Sequence, residues 1–268
     1  MDEQKQLRNG IVEGTIWKEI LKFFFPIMLG TLFQQLYNTV DTVVVGQFEG
    51  SAAVAAVGGS SAQILNLIIG FFVGVSSGAT VIVSQYFGRR DEKGVSDAVH
   101  TGLALAIVGG AIMTALGLLC APTLLDWMNT PKDTMTGSTM YLRIVFLSMI
   151  PSMVYNVGSS ILRAVGDSKS PLYFLIACCL INVVLDLLFV AVFKKGVAGV
   201  AIATSLAQLA SGLLVCRSLM RSKMCYRLEI KKIRIQRGMM RDTIRIGLPA
   251  GFQSTMYNLS NMIITTAI

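Results

Sequence analysis

Charge is scarce in this sequence. Only 14% of its 268 residues are Asp, Glu, Lys or Arg, whereas a soluble domain carries about a quarter. With 53% of the residues hydrophobic, there is too little polar material to cover the chain in water, and a lipid-facing exterior resolves the deficit. Histidine is nearly missing, His100 being the only one. The five cysteines (Cys120, Cys178, Cys179, Cys216 and Cys225) show no metal-ligand spacing and read as small hydrophobes in helices. No phosphate loop, nucleotide fingerprint or hydrolase triad occurs, so an enzyme has no residues to stand on and no cofactor is expected. No cleavable signal peptide is expected either. Mixed charges open the chain, and no small-residue cleavage site follows an apolar core, so the first hydrophobic segment reads as a retained signal-anchor.

What the sequence has is long apolar runs. Spanning the hydrocarbon takes about 20 apolar residues in a helix. Six complete candidates cover about Leu21–Val45, Ala56–Phe87, Val95–Ala121, Tyr141–Leu162, Pro171–Phe193 and Val197–Met220, and a seventh starts near Thr243. The expected fold is all-α, a polytopic transmembrane bundle. Residues 1–220 form a six-helix N-terminal lobe, 221–242 a basic cytoplasmic inter-lobe loop, and 243–268 the first helix of an incomplete C-terminal lobe. Gly70, Gly74 and Gly78 lie four apart on the second span, a spacing that lets a neighbouring backbone approach closely. Pro26 and Pro151 fall within the first and fourth spans, where each removes a backbone hydrogen bond and allows a kink.

The net charge of +8 would raise nucleic-acid binding in a soluble protein. Here the positive charge follows the loops instead. With the N-terminus inside, nineteen Lys and Arg fall on the inner side: Lys5, Arg8, Lys18 and Lys22, then Arg89, Arg90 and Lys93, then Arg163 and Lys169, then ten between Arg217 and Arg245. Outside stand Lys132, Lys194 and Lys195, with Arg143 near an outer helix end. This asymmetry places the N-terminus in the cytoplasm of a multi-pass inner (plasma) membrane protein, with the lipid bilayer as partner and no nucleic acid.

Ionisable residues inside a membrane are costly and usually face an interior cavity. Two carboxylates qualify, Asp41 in the first span and Asp186 in the fifth. Both fall in the outer half of the bilayer, at depths compatible with one site. Asn182 precedes Asp186 by one helical turn, so the two project from one face. Such oxygens suit a monovalent cation, with Na+ at Asp41, Asn182 and Asp186, and they serve equally as proton acceptors. The bland alternative makes each aspartate a hydrogen-bonded packing residue. Other candidates are weaker. His100 reads as an ordinary interfacial residue, and Tyr141 and Thr204 as ordinary helix residues. The Arg217–Arg245 stretch reads as a solvated topology determinant rather than a lipid-headgroup site. Met128, Met135, Met140, Met149 and Met153 read as gap-fillers before they read as a drug surface. An internal echo links Tyr37-Asn38-Thr39-Val40-Asp41 to Tyr257-Asn258-Leu259-Ser260-Asn261, with Pro26 and Pro249 upstream at spacings that differ by three residues. Repeated halves around a midplane site are a common transporter plan.

Several stretches resemble one family. FPIMLGTLFQQLYNTVDTVVVGQFEG, VSQYFGRRDEKG, ILRAVGDSKSPL, INVVLDLLF and GVAGVAIATSLAQ are similar, in order, to segments of the multidrug and toxic compound extrusion (MATE) transporters, most closely the bacterial DNA-damage-inducible branch. The resemblance implies two six-helix lobes around a central cleft, of which this chain holds the N-terminal one. It implies antiport of Na+ or H+ against small organic, often cationic, substrates by alternating access. The missing C-terminal lobe is then the chain's natural partner. By matching motifs, a cation site in this lobe would use Asp41, Asn182 and Asp186, with Thr204 and Tyr141 on weaker local matches. The competing readings are a flippase for lipid-linked precursors in the same superfamily, which calls for a cationic cleft, and a non-transporting membrane scaffold.

Overall fold

The computed structural model describes the backbone of residues 16–267 and the side chains of 17, 18 and 20–260; Lys5 and Arg8 of the inner-side set lie outside the described residues. Helices and turns make up the described chain, with no strand among the described residues. In order they are α1 (Ile16–Glu49), α2 (Ser51–Gly58), α3 (Ser60–Gly88), α4 (Glu92–Trp127), α5 (Lys132–Leu147), α6 (Met149–Ala164), α7 (Lys169–Asp186), α8 (Gly196–Arg221) and α9 (Arg237–Ala267). A π-helical turn, Leu187–Val192, extends α7, and a short 3-10 turn, Ile230–Lys232, lies between α8 and α9. Five segments are long and apolar enough to cross a membrane, and the bent pair α5–α6 makes a sixth. The polytopic helical bundle expected from the sequence is the fold observed.

The local differences have local causes. The second span is divided, because Gly59 leaves helical geometry while its N–H still bonds the Ala55 carbonyl at 3.0 Å. The fourth span starts earlier than expected, at Lys132, and bends by 53° between α5 and α6. The bend falls at Ser148, three residues before Pro151. Lacking an N–H, Pro151 cannot bond the carbonyl four residues back, at Leu147, and the ladder is interrupted there. Proline does not stop α4, which runs through Pro122 to Trp127, six residues beyond the expected end. Helix α9 begins at Arg237, six residues before Thr243, so the segment joining it to α8 is short.

The core is a continuous apolar cluster drawn from α1 to α8, with Val45, Val83, Val99, Leu125, Leu142, Phe146, Ile161, Val200 and Leu219 all at 0% exposure. Met149 and Met153 are also fully buried, each beside a cavity, while Met140 is exposed. Close crossings depend on glycine. A Cβ at Gly74 would fall on the backbone of Ala250 and Gly251 of α9, and one at Gly78 on Thr243 and Gly247. A Cβ at Gly247 would in turn fall on Val75 of α3. Glycine serves a different purpose at Gly196, which opens α8 with φ +56°, a left-handed conformation that an L side chain resists by about 1–2 kcal/mol. Gly196→Ala is expected to lower stability by about that amount, seen as an earlier midpoint in chemical unfolding in detergent. An unchanged midpoint would mean that the turn relaxes without cost.

Candidate functional site

Asp41 occupies the buried stripe of α1, together with Val44 and Val45 on the following turn. Most of the rest of this helix is half-buried or exposed, including Leu32, Leu36 and Phe48. Asn182 and Asp186 lie one turn apart on α7, both at 0% exposure. The α1–α7 contact brings the two carboxylates into electrostatic and hydrogen-bonding range of each other. Between them lies the Asn182 amide. With its nitrogen facing the acids, it donates to Asp41 Oδ1 at 2.7 Å and to Asp186 Oδ2 at 3.2 Å. Asn182 is thus a donor that ties two helices together through their acids, and in this arrangement its nitrogen, not its oxygen, faces the pair.

Thr204 on α8 and Tyr141 on α5 are 7% and 6% exposed, and both are electrostatic neighbours of the pair. All five residues singled out from the sequence therefore meet in one place. A sixth, Tyr37, was not singled out as a site residue. It precedes Asp41 by four residues and so shares its helix face, and its hydroxyl neighbours Asp41, Thr204 and Tyr141. That spacing was the signal that could have found it.

The chemistry follows from what lacks a partner. Asp186 Oδ1, Thr204 Oγ1 and the Tyr37 hydroxyl are buried with no hydrogen-bond partner among the described residues, and Thr204 and Tyr37 face the cavity beside the pair. An unsatisfied buried polar atom is expensive, and two acids in one low-dielectric space repel each other. A small hard cation or a proton answers both problems, and the oxygen donors (two carboxylates and hydroxyls) are of the type that alkali and alkaline-earth ions prefer. Among the described residues no cluster of three His, Cys, Asp or Glu side chains suits a metal ion. The π-helical turn begins at Leu187, immediately after Asp186, and such turns recur at functional sites because they shift side chains out of the α-helical register.

One wall of this site is a cavity of about 360 Å³. Gln34, Asn38 and Asp41 of α1 line it, with Asn66 of α3, Tyr141 of α5, Ser148 and Ser152 at the α5–α6 bend, and Thr204 and Gln208 of α8. Among the described residues the lining holds one acid, amides, hydroxyls and apolar groups, with no Lys or Arg. His100 lies apart from it, near the start of α4 and buried at 2% exposure.

A bundle of apolar helices long enough to cross a membrane, with buried acids beside a polar cavity, is that of a multi-pass membrane protein. Residues 26–188 match the MatE family, and the chain belongs to that family. It is similar to the probable multidrug resistance protein YpnP of Bacillus subtilis, with 33% identity over 196 residues, 73% of this chain and 44% of that protein. It is also similar to the probable multidrug resistance protein YoeA of the same organism, with 28% identity over 263 residues, 95% of this chain and 56% of that protein. Among solved structures, an outward-facing multidrug resistance MATE family transporter of the MOP superfamily superposes with a TM-score of 0.84 at 25% identity, over 91% of this chain and 54% of that one. The chain spans about half the length of the relatives it matches.

Proposed function

We propose that this chain is the N-terminal lobe of a multidrug exporter that exchanges Na+ or H+ for small organic, often cationic, compounds by alternating access. The observation that carries the reading is the buried pair Asp41 and Asp186, bridged by Asn182 and placed beside a polar cavity free of Lys and Arg. A cation arriving at the pair neutralises charge that the bundle otherwise holds at high cost. Coupling requires the ion to bind two conformations of the lobe unequally, and α1, with Pro26 inside it, is the element through which that difference reaches the cavity. Residues 1–220 are assigned to this lobe, with α9 belonging to a second lobe that completes the cleft. The positive-inside distribution supports an N-terminus in the cytoplasm and residence in the plasma membrane. The acid-and-amide lining of the cavity favours a cationic guest over the pyrophosphate of a lipid-linked precursor, and no covalent step is assigned to the chain.

The test is efflux from proteoliposomes holding the chain together with a second lobe supplied from a relative. Export of a cationic dye should require an inward sodium or proton gradient and stop when that gradient is collapsed by an ionophore. Export that continues without either gradient would remove the exchange reading.

A further inference from the structure

The segment between α8 and α9 does not hang free. Leu228, in its middle, is 5% exposed within the core cluster, and its N–H bonds the Leu219 carbonyl at 3.1 Å. Cys225, Tyr226 and Ile233 pack against the same cluster, and two adjacent buried residues of α4 hold the segment's backbone. Thr101, 1% exposed, accepts from the Gln236 N–H at 3.3 Å and donates to the Arg234 carbonyl at 3.4 Å. His100 Nε2 accepts from the Glu229 N–H at 3.0 Å, and His100 Nδ1 lies 2.6 Å from the Ser96 carbonyl. A carbonyl can only accept and a backbone N–H can only donate. Nδ1 must therefore carry the proton and Nε2 the lone pair, which is the neutral imidazole. A second proton would set an Nε2–H against the Glu229 N–H, donor facing donor in a buried position.

We propose that neutral His100 is the positioning residue that pins the α8–α9 segment to α4, and that its protonation releases the pin. Histidine is the side chain whose charge changes near physiological pH, whereas the Thr101 hydroxyl beside it does not titrate. The release therefore starts at Glu229 while Gln236 is still held. Because this segment is the covalent path from α8 to α9, the pin sets how α9 is tethered to the rest of the bundle.

The charged groups around the pin are known. Helix α4 contributes Glu92, Lys93 and Asp97, and the segment contributes Arg227, Glu229, Lys232 and Arg234. Along the neighbouring elements, α9 carries Arg237, Arg241, Asp242 and Arg245, and α6 carries Arg163, which lines a different cavity with Pro26 and Tyr155, while α3 has no charged residue. Arg234 and Asp97 pair at 3.7 Å with Arg234 largely exposed, a weak contact. The Glu229 carboxyl is held below the usual carboxylate range by the Lys232 ammonium at 2.9 Å, so it remains charged where histidine titrates. Burial pushes the Cys225 thiol up, away from the same range.

The experiment is amide hydrogen exchange on the full chain in detergent at pH 8 and pH 5.5, each rate corrected for its intrinsic pH dependence, beside His100→Gln. Glutamine keeps an acceptor and does not titrate. The Glu229 amide should lose protection at least tenfold at the lower pH in the native chain and keep it in His100→Gln, while Val99 and Leu103 amides in α4 stay protected at both. Equal Glu229 protection at the two pH values in the native chain overturns the proposal, and this comparison stands even if the variant does not fold. An equal fall in His100→Gln, or a fall shared by the α4 amides, overturns it too.

Discussion

Asp41→Asn is expected to abolish cation binding by this chain, and coupled efflux by the two-lobe protein, while leaving membrane insertion and the fold intact. Asn182 donates to Asp41 Oδ1 at 2.7 Å, and an asparagine at position 41 keeps a carbonyl oxygen to accept that bond. What disappears is one of the two negative charges that a bound cation would neutralise. Losing one ligand charge in so dry a site should lower affinity by roughly two orders of magnitude or more, about 3 kcal/mol at least, which takes binding out of the measurable range. The checks are cation titration of the purified variant and dye export with a second lobe supplied. Unchanged export alongside normal insertion would reduce Asp41 to a packing residue and leave the scaffold reading standing.

Gly74→Leu is expected to separate α9 from α3. The position admits no Cβ, because the backbone of Ala250 and Gly251 already occupies that space. Backbone cannot swing aside as a side-chain tip does, so the helices must part along the whole crossing. That crossing includes Gly78 against Gly247 and the Asn258 amide on the Asn66 carbonyl at 3.2 Å. The expected loss is about 3 kcal/mol, the upper end of the usual overpacking range. It should appear as an earlier unfolding midpoint in detergent and as faster amide exchange in α9. Val73→Leu, at an exposed neighbour on the same helix, should leave both measurements unchanged. Equal behaviour of the two variants would show that the α3–α9 crossing does not hold the helices together.

The features legible in the sequence were those with a short physical range or a high solvation cost. Intramembrane acids are rare enough that Asp41 and Asp186 stood out, and the four-residue step from Asn182 to Asp186 gave their shared face. The Gly70, Gly74, Gly78 step likewise predicted a close crossing, though not which helix would fill it. Tyr37 was hidden because a tyrosine on an apolar helix is common, and only its register with Asp41 set it apart. Pro151 marked the span that bends, and the chain turns at Ser148 because the bond Pro151 cannot make is the one to the Leu147 carbonyl. The third span ran six residues past its expected end at Ala121, and nothing in the composition after Asp186 announced a π-helical turn. His100 could not be read at all, since its partner is the backbone of Glu229, 129 residues away, and a backbone amide leaves no trace in residue type.

The claim that matters most is that the acids joined by Asn182 hold an exchangeable cation. The most direct measurement is sodium binding to the purified chain in detergent over a series of pH values, with Asp41→Asn in parallel. The account predicts saturable binding that weakens as protons compete and vanishes in the variant, or, if protons alone are coupled, a pH-dependent conformational change that the variant lacks. A folded native chain that binds no sodium and responds to pH no differently from Asp41→Asn would contradict it.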